Sequence, residues 1–341
     1  MFLYLYVYRR LKPNKEKIVE TLPSVSLIIA IKNELTNLQE HLESWLTQQY
    51  EHYEVIVIDD NSTDGSCTYV QKYIDRYPKL KLISNSQTSG KKGALTSGIN
   101  CATGQWVLTT DADCKPDGPN WIYDVMCASR DYDVILLYGP YLPLPGFLNK
   151  FIRYETWYIA IQYFSFAQLG LPYMGVGRNL AYKKQVFVEN NGFNNHNHIR
   201  SGDDDLFIVG LGSTYSIGTH LSGFTYSKPA RRLSDLVNQK RRHLTTSTSY
   251  PIKIQFLLIV IFASQLLFYG VSLGFLFLGQ FTILIITLVL IRWMIMLWIG
   301  KDKMSLLKEK SLWYWIPVLD LIILLYYCLM GIMMPFKKKT W

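Results

Sequence analysis

Two clusters of acidic residues carry the clearest chemical signal in this sequence. Asp111-Ala112-Asp113 follows an apolar run, and Gly202-Asp203-Asp204-Asp205 lies in a polar stretch farther along the chain. Two carboxylates one residue apart on a turn suit a hard divalent cation such as Mg²⁺ or Mn²⁺, which can neutralise charge on a leaving phosphate. Three adjacent carboxylates repel one another, which raises the pKa of at least one towards the range of a general base. Each cluster alone is also typical of an exposed turn.

Alternating strand and helix patterns place these clusters at one edge of a sheet. Apolar runs predict buried parallel strands at 25–31 and 55–58, and two further strands are predicted at 80–83 and 106–110. Helical spacing separates the strands, and the small residues of 93–102 predict a helix packed closely on the sheet. In a doubly wound α/β fold, ligands bind beyond the carboxyl ends of the strands. We therefore expect the polar turns at 32–34, 59–65 and 111–113 to line one cleft.

Composition excludes several classes of protein. Of the 341 residues, 49% are apolar and 18% are charged, and the net charge is +9. Disordered chains have few aromatic residues and more charge, and an ordinary soluble domain is nearer ~25% charged. The basic residues border apolar runs, which favours an anionic membrane surface and not nucleic acid as the partner. Five cysteines without a CxxC pair argue against a disulfide framework or a structural zinc site.

The C-terminal third predicts membrane helices. Three apolar stretches, each about as long as a bilayer requires, lie at 254–278, 281–299 and 312–334. A rise of ~1.5 Å per residue brings Arg292 and Asp320 to nearly the same depth on antiparallel helices, so we expect them to pair. The opening segment 1–22 is too short in apolar residues to span a bilayer and predicts an interfacial anchor. With three spans, the tail Lys337–Lys339 falls on the side opposite the lysine-rich loop 300–311, which leaves the side of the tail open.

Two further stretches are informative. Residues 147–175 are crowded with aromatic side chains and precede the turn Val176-Gly177-Arg178-Asn179. Such a helix either lies in the membrane interface, where it meets a lipid, or belongs to the protein core. His196 and His198 lie in an asparagine-rich segment, which predicts exposed surface and not a metal site.

Taken together, residues 23–250 resemble glycosyltransferase family 2, whose members have the GT-A fold. The matching stretches are VSLIIAIKNE (25–34), EVIVIDDNSTDGS (54–66), GKKGALTSGINCATG (90–104), VLTTDADCKP (107–116) and GDDDLF (202–207). QKRRH (239–243) is similar to the family's QxxRW, with His243 in place of the tryptophan. The resemblance implies an α/β fold class, a Rossmann-like and mostly parallel GT-A catalytic domain (23–250), followed by an α-helical transmembrane region (251–341).

The resemblance also implies a role for each matching residue. Asn33, Glu34 and Asp60 would hold the nucleoside, Lys91 would lie near the donor, and Arg178, Asn179, Asp205 and Gln239 would complete the substrate site. Asp111 would contact ribose or metal-bound phosphate, and Asp113 would coordinate Mg²⁺ or Mn²⁺. Asp204 is the predicted base, with Asp203 and Asp205 as alternative registers. Arg242 would hold the departing diphosphate.

The implied function is inverting transfer of a sugar from a UDP- or GDP-sugar to a lipid or lipid-linked acceptor at the membrane. The implied protein is multi-pass, with its catalytic domain on the cytosolic side. Two alternatives remain open from the sequence. One is a processive polysaccharide synthase of the same family, which the replacement of tryptophan by His243 argues against. The other is a catalytically silent membrane scaffold, which the presence of every expected carboxylate argues against.

Overall fold

The computed structural model describes residues 8, 11, 21–85, 90–199 and 201–333, which form two compact units. The sheet unit contains the described parts of 13–142 and 166–229, and the helical unit contains 143–165 and 230–333 with Tyr8 and Leu11. These units divide the chain differently from the predicted boundary at residue 250, because 143–165 and 230–250 group with the C-terminal helices. The rest of the predicted N-terminal anchor and the tail Lys337–Lys339 lie outside the described residues.

A mixed sheet forms the centre of the sheet unit. The strands described are β1 (Val25–Ile31), β2 (Tyr53–Asp59), β3 (Leu80–Ser84), β4 (Trp106–Thr109), β5 (Cys114–Pro116), β6 (Val134–Leu136), β7 (Leu180–Lys183), β8 (Ile217–Thr219) and β9 (Thr225–Ser227). Seven of them form one sheet in the order β3-β2-β1-β4-β7-β6-β8, and β5 pairs with β9. The first four are parallel, as the alternation of strands and helices predicts. β7 runs antiparallel to β4 and to β6, which the sequence did not indicate.

Helices connect strands within the sheet unit and also make up the helical unit. They are α1 (Leu35–Leu46), α2 (Ser66–Ile74), α3 (Lys91–Cys101), α4 (Trp121–Met126), α5 (Phe147–Gln168), α6 (Lys184–Glu189), α7 (Asp205–Leu211), α8 (Leu233–Ser247), α9 (Ile252–Phe277), α10 (Thr282–Leu306) and α11 (Ile316–Met333). Leu38, Leu42 and Trp45 form the buried face of α1 and join the core of the sheet unit. The α/β alternation predicted for the first 110 residues is therefore confirmed.

The small residues of α3 allow it to approach the sheet closely. A Cβ atom at Gly98 would lie 2.4 Å from Cδ1 of Ile58 on β2 and 3.2 Å from Cγ2 of Ile28 on β1. Any side chain at position 98 would therefore push the helix away from the two strands. The predicted close packing of this helix is confirmed, and it fixes the height at which the first turn of α3 lies.

The aromatic helix α5 is buried on nearly all of its sides. Residues 151–155, 157–158 and 160–167 are all buried, and they include Trp157 and Tyr163. A helix that is apolar and covered all round is a core helix, whereas an interfacial helix keeps one polar face in water. Of the two interpretations of this stretch, the structure supports the core helix.

Three helices of the helical unit are long and apolar enough to cross a membrane. They are Ile252–Phe277, Thr282–Leu306 and Lys310–Ile332, the last of which includes a short 3₁₀ helix (Lys310–Trp315) ahead of α11. Their bounds agree with the three predicted spans, except that α10 continues seven residues beyond 299 into the lysine-bearing loop.

The predicted pair of charges within these helices is confirmed. Nη2 of Arg292 on α10 lies 3.0 Å from Oδ2 of Asp320 on α11, and both side chains are buried. Two groups of α9 complete the arrangement, since Nε2 of Gln265 and the hydroxyl of Tyr269 both donate to the Asp320 carboxylate, at 2.9 and 2.6 Å. The pair therefore ties all three apolar helices together in one polar cluster.

Candidate active site

The carboxyl ends of β1 and β2 are joined into one polar rim. The backbone N–H of Asn33 donates to Oγ of Ser62 at 2.9 Å, and the backbone N–H of Thr63 donates to Oδ1 of Asn33 at 2.8 Å. Asn33 and Asn61 both have positive φ angles, which asparagine tolerates better than most residues. The turns at 32–34 and 59–65 therefore lie side by side, as predicted, and the Asn33 side chain holds them together.

Asp60 joins this rim to the start of α3. Its residue is only 4% exposed, and its carboxylate accepts hydrogen bonds from Nδ2 of Asn85 at 2.8 Å, from the backbone N–H of Gly90 at 3.2 Å and from Lys32 at 3.2 Å. Burial alone would raise the pKa of Asp60, but these donors outweigh it and hold the pKa below its usual value. Asp60 is therefore a permanent anion that holds the backbone of Gly90, directly before Lys91.

Asp111 and Asp113 lie where β4 ends, beside the same rim. Burial and repulsion by Asp111 raise the pKa of Asp113. Burial also raises the pKa of the half-buried Glu34, against an opposing hydrogen bond from Asn37, and the negative charges of Asp113 and Asp111 add to the rise. Three carboxyl groups therefore share one negative region. A divalent cation relieves such repulsion, so the pair Asp111 and Asp113 fits Mg²⁺ or Mn²⁺ on its own chemistry.

Cys114 lies next to this pair of aspartates and orients one of them, but it is not itself a predicted metal ligand. Its Sγ lies within 4.8 Å of ligand atoms of Asp111 and Asp113. The thiol is buried, lies 3.1 Å from Oγ of Ser227 and donates to Oδ1 of Asp113 at 3.3 Å. Burial and the two aspartates raise its pKa far above the ordinary value, so the sulfur keeps its proton. The oxygen atoms of the two aspartates are the hard ligands here, and Cys114 orients one of them.

Lys91 connects the two acidic clusters. Its Nζ lies 2.8 Å from Oδ1 of Asp111 and 2.9 Å from Oδ2 of Asp203. Lys91 occupies the first turn of α3, so the helix that packs closely on the sheet delivers an ammonium group to both clusters. The sequence placed Lys91 near the donor, and the structure adds that it bridges the clusters.

Asp204 and Asp203 have opposite electrostatic environments. Oδ2 of Asp204 accepts a hydrogen bond from the backbone N–H of Gly177 at 2.8 Å, and Oδ1 accepts one from the N–H of Asp205 at 2.8 Å. Burial and the charges of Asp203 and Asp205 nevertheless raise the pKa of Asp204 to about 7. For Asp203, the ammonium of Lys91 outweighs burial and holds the pKa below its usual value. Asp204 is therefore the member of the cluster that can exchange a proton near neutral pH.

Lys92 supports the segment 196–199, which leads into this acid cluster. Sequence reasoning missed this role of Lys92. The residue is buried, and its Nζ donates to the backbone carbonyls of His196 at 2.8 Å and Ile199 at 2.9 Å. His196 itself is buried against Phe193, so the prediction that it lies on the surface is wrong. His198 is exposed, as expected. Burial and the neighbouring Lys92 lower the pKa of His196 to about 4, so the ring is neutral.

We expect Lys92→Met to loosen the segment 196–199. Methionine keeps the apolar stem but removes the ammonium donor: the carbonyl of His196 keeps only the N–H of Ile199, and the carbonyl of Ile199 loses its bond to Lys92, which costs about 1–3 kcal/mol of unfolding free energy. Hydrogen exchange and limited proteolysis of the folded protein should show the segment opening before the rest of the sheet unit. Lys184→Met is the matched control, because Lys184 donates to the carbonyl of Ala102 at 2.6 Å on a different segment. Equal protection of 196–199 in the two variants would contradict the assignment.

Two of the residues predicted to bind substrate have surroundings that do not fit that role. Asn179 is fully buried; its Nδ2 donates to the carbonyls of Tyr138 and Gly223, both at 2.8 Å, and its Oδ1 accepts from Trp121. These hydrogen bonds engage both the amide nitrogen and the amide oxygen of the side chain, which links separate segments of the chain. Asp205 is also buried, at the start of α7, and acts here on the pKa of Asp204.

Arg178 lies between these loops. Its guanidinium donates to the carbonyl of Gly139 and, at 3.1 Å, to the hydroxyl of Tyr141, whose ring it also covers at 4.5 Å. Its positive charge acts on Asp113, where it opposes the rise in pKa. Arg178 therefore balances charge beside the predicted cation ligands while its donors are held by the protein.

Gln239 and Arg242 lie on α8, in the helical unit. Arg242 is exposed there. The neighbouring Lys240 forms a 2.6 Å ion pair with Glu155 of α5, a residue that is only 1% exposed. This buried pair fixes the rotation of α8 about its axis and so determines the face on which Gln239 and Arg242 lie.

Comparisons with known proteins identify what the site resembles. Residues 26–187 match the family model described as glycosyl transferase family 2. The chain is 28% identical over 236 residues to glycosyltransferase AglE of Haloferax volcanii, covering 65% of this chain and 72% of that one. It is 33% identical over 113 residues to the beta-monoglucosyldiacylglycerol synthase of Nostoc sp., covering 32% and 24%. The chain spans less than half the length of several other curated relatives that it matches.

Among solved structures, the chain is similar to the mannosyltransferase PcManGT from Pyrobaculum calidifontis, which was solved in complex with GDP-Man and Mn²⁺. The TM-score is 0.58 at 17% identity, over 95% of this chain and 94% of that one. At this identity the likeness concerns the fold. It agrees with the GT-A class predicted from the sequence.

Proposed function

We propose that this chain, whose residues 26–187 match the family model of glycosyl transferase family 2, transfers a sugar from a nucleotide-sugar donor with inversion at the anomeric carbon. One observation carries the proposal: Lys91 joins Asp111 of the first acidic cluster to Asp203 of the second, next to an Asp204 whose pKa is raised to about 7. A cation held by the first cluster and a base in the second would then lie at the same edge of the sheet. An inverting displacement needs a base beside the attacking hydroxyl, and a cation beside the diphosphate helps it to leave.

The donor side would be built from the ends of β1, β2 and β4. Asp111 and Asp113 would hold Mg²⁺ or Mn²⁺, and the ion would neutralise charge on the departing diphosphate. Glu34 is the nucleoside-binding group best supported by the geometry, because its half-buried carboxyl faces the same negative region. Asn33 and Asp60 would act by fixing the two turns that flank it. The GDP-Man and Mn²⁺ with which the mannosyltransferase was solved support a nucleotide sugar and a divalent cation in this fold.

The acceptor side would use Asp204 as base. In its ionised form Asp204 takes the proton of the attacking hydroxyl while that oxygen bonds to the anomeric carbon and the nucleoside diphosphate leaves from the opposite face. The backbone N–H groups of Gly177 and Asp205 keep the carboxylate oriented throughout. Asp203 would not compete for the proton, because its pairing with Lys91 keeps it ionised at neutral pH.

The departing diphosphate would be held by Arg242, with Gln239 beside it on α8. A guanidinium binds two phosphate oxygens at once through parallel N–H groups. The ion pair of Lys240 with Glu155 supports the assignment, because it fixes the helix face that carries both residues.

We infer that the acceptor is a lipid or a lipid-linked molecule and that the protein is multi-pass with its sheet unit on the cytosolic side. Three helices long enough to span a bilayer follow the predicted catalytic residues. The Nostoc relative is named for a diacylglycerol product, which supports a lipid acceptor. The lysine-bearing loop at 300–311, which favours the cytosolic side, supports the orientation.

The first test is nucleotide release by the purified full-length protein in detergent or vesicles. UDP- and GDP-sugars are supplied in turn with lipid extract, and the products are separated by length. Release from one donor with addition of a single sugar is the expected result. Long products would instead favour a processive polysaccharide synthase, and no release from any donor would favour a catalytically silent scaffold.

Removal of divalent cations is expected to stop the reaction. With EDTA present, Asp111 and Asp113 would repel the donor diphosphate, so turnover should fall to background and return when Mn²⁺ or Mg²⁺ is restored. Asp113→Asn should weaken Mn²⁺ binding in the presence of the nucleotide, measured by calorimetry. Full activity in EDTA would contradict the role assigned to this pair.

A further inference from the structure

A patch of lysines and tryptophans lies where the second and third apolar helices are joined. We define the headgroup patch as Lys150, Lys301, Lys310, Trp313 and Trp315, all within the helical unit. Nζ of Lys150 lies 4.1 Å from the centroid of the Trp315 ring, and Nζ of Lys301 lies 5.7 Å from that of Trp313. Residue 150 is far from the others in sequence, so folding alone assembles the patch.

Two contacts bring α5 to this loop. The ring of Phe147 packs edge-on against Trp315 at 6.2 Å between centroids. Nε of Arg153 donates to Oε2 of Glu309 at 2.9 Å, and Nη2 of Arg153 donates to Oγ of Ser311 at 3.2 Å. Both members of the ion pair are buried. The position of Lys150 beside Trp315 is therefore fixed.

The same contacts leave the patch with an excess of positive charge. Glu309 is neutralised by Arg153, and Asp302 is paired with Lys303 at 2.7 Å. Among the described residues, no carboxylate lies within salt-bridge distance of Lys150, Lys301 or Lys310. The two acids of the loop are thus occupied by other cations, while three lysines keep their charge available to an anion from outside.

The aromatic side chains indicate the depth of the patch in a membrane. Tyr314 is 59% exposed and Trp298 is 58% exposed, and Trp313 and Trp315 are half-buried. Tryptophan and tyrosine with one apolar and one wet end prefer the interface between hydrocarbon and water. A lysine that lays its stem along such a ring presents its ammonium at the height of the lipid phosphates.

We propose that the headgroup patch binds the anionic phospholipid headgroups of the membrane in which the protein lies. The three lysine ammonium groups match the phosphates of a negatively charged leaflet in charge. The neighbouring tryptophans, which prefer the membrane interface, place these ammonium groups at the depth of the phosphates. Each lysine near such a surface contributes about 1 kcal/mol, which corresponds to roughly 5-fold in association at low salt. The inference does not depend on the reaction assigned to the sheet unit.

The test uses the tryptophans as reporters. The full-length protein is reconstituted in vesicles that mix phosphatidylglycerol and phosphatidylcholine, with only one of the two lipids brominated in each preparation, and quenching of its fluorescence is compared. We expect several-fold preferential quenching by the anionic lipid, weakened by added salt and brought to about equal quenching in the Lys150→Gln/Lys301→Gln/Lys310→Gln variant. A Trp313→Phe/Trp315→Phe variant should lose the selective component.

Lys72→Gln/Lys115→Gln removes exposed charge from the sheet unit and should keep the preference of the unaltered protein. Equal quenching by the two lipids, or a preference unchanged in the triple variant, would overturn the proposal. Inorganic phosphate added at matched ionic strength distinguishes a discrete phosphate site from binding to a lipid surface. If it abolishes the preference where chloride does not, the patch is a discrete phosphate site and the proposal of a lipid surface fails. Circular dichroism and elution from a sizing column verify that the triple variant is folded.

Discussion

Asp204→Asn is expected to lower kcat for sugar transfer by a factor of about 10²–10⁴, the usual contribution of a positioned base. Asparagine keeps the shape of the side chain, but its one carbonyl oxygen can accept from only one of the two backbone N–H groups, Gly177 or Asp205, that donate to the two oxygens of Asp204. It cannot take a proton. Donor binding, measured by equilibrium dialysis with labelled nucleotide sugar, should be nearly unchanged, so that the loss falls on kcat.

Two other aspartates, Asp203 and Asp75, supply matched controls for this substitution. Asp203→Asn removes the partner of Lys91 and should weaken donor binding more than it lowers kcat. Asp75→Asn, on an exposed position after α2, should change neither quantity. If Asp203→Asn instead causes the large loss in kcat and Asp204→Asn does not, then the base is Asp203 and the assignment made here is wrong.

The pH dependence of kcat/KM offers an independent check of the same assignment. The base must be ionised to act, and the pKa of Asp204 is raised to about 7. Activity should therefore fall about 10-fold for each pH unit below 7 and level off above it. Asp203→Asn removes a repelling charge, so the remaining activity should extend to lower pH. An unchanged profile in that variant would contradict the coupling of the two carboxylates.

The second large effect is expected in the membrane helices. Arg292→Met would leave the carboxylate of Asp320 buried with only the donors Gln265 and Tyr269. An uncompensated buried charge of this kind costs about 3–5 kcal/mol of stability. Unfolding in detergent micelles, followed by circular dichroism, and the yield of membrane-inserted protein should both show the loss. Arg76→Met, on the exposed surface of the sheet unit, is the control for removal of an arginine.

Compensating substitutions distinguish a structural pair from a functional one. Arg292→Met/Asp320→Leu should recover most of the stability, because replacement of a whole buried ion pair by apolar residues is often nearly neutral. The exchange Arg292→Asp/Asp320→Arg should recover less, since Gln265 and Tyr269 would then point their donors at a cation. Failure of both double variants to improve on the single one would show that the pair does not act as a structural clasp.

Local sequence patterns predicted the part of the fold that local forces determine. β1 and β2 were predictable because each is an apolar run buried on both faces, and the shorter β3 and β4 followed from the alternation of strands and helices. The pairing of Arg292 with Asp320 followed from the constant rise of two antiparallel helices. The edge at which Asp111 and Asp113 lie followed from the alternation of strands and helices, and so did their position next to the turns at 32–34 and 59–65.

Contacts between distant segments could not be predicted in this way. The antiparallel β7 is only four residues long and carries no pattern that sets its direction. No local pattern reveals that Lys92 donates to the carbonyls of His196 and Ile199, which lie more than a hundred residues farther along the chain. The family resemblance implied that Asn179 binds substrate, whereas its side chain bonds to three separate segments of the chain: to Tyr138, to Gly223 and to Trp121 at the start of α4.

The close approach at Gly98 makes two positions of this protein mutationally interdependent. Gly98 and the first lysine of α3 are seven residues apart, which is about 10 Å along a rigid helix. In Gly98→Ala the new methyl group would clash with Ile58 and tilt the helix. The tilt would displace the ammonium of Lys91, at the other end of the helix, from its position between Asp111 and Asp203. Ile58→Val makes room beneath it. A library that varies both positions should therefore yield active clones with alanine at 98 mainly where 58 has become smaller, an epistatic pair that lies beneath the cleft and touches no substrate.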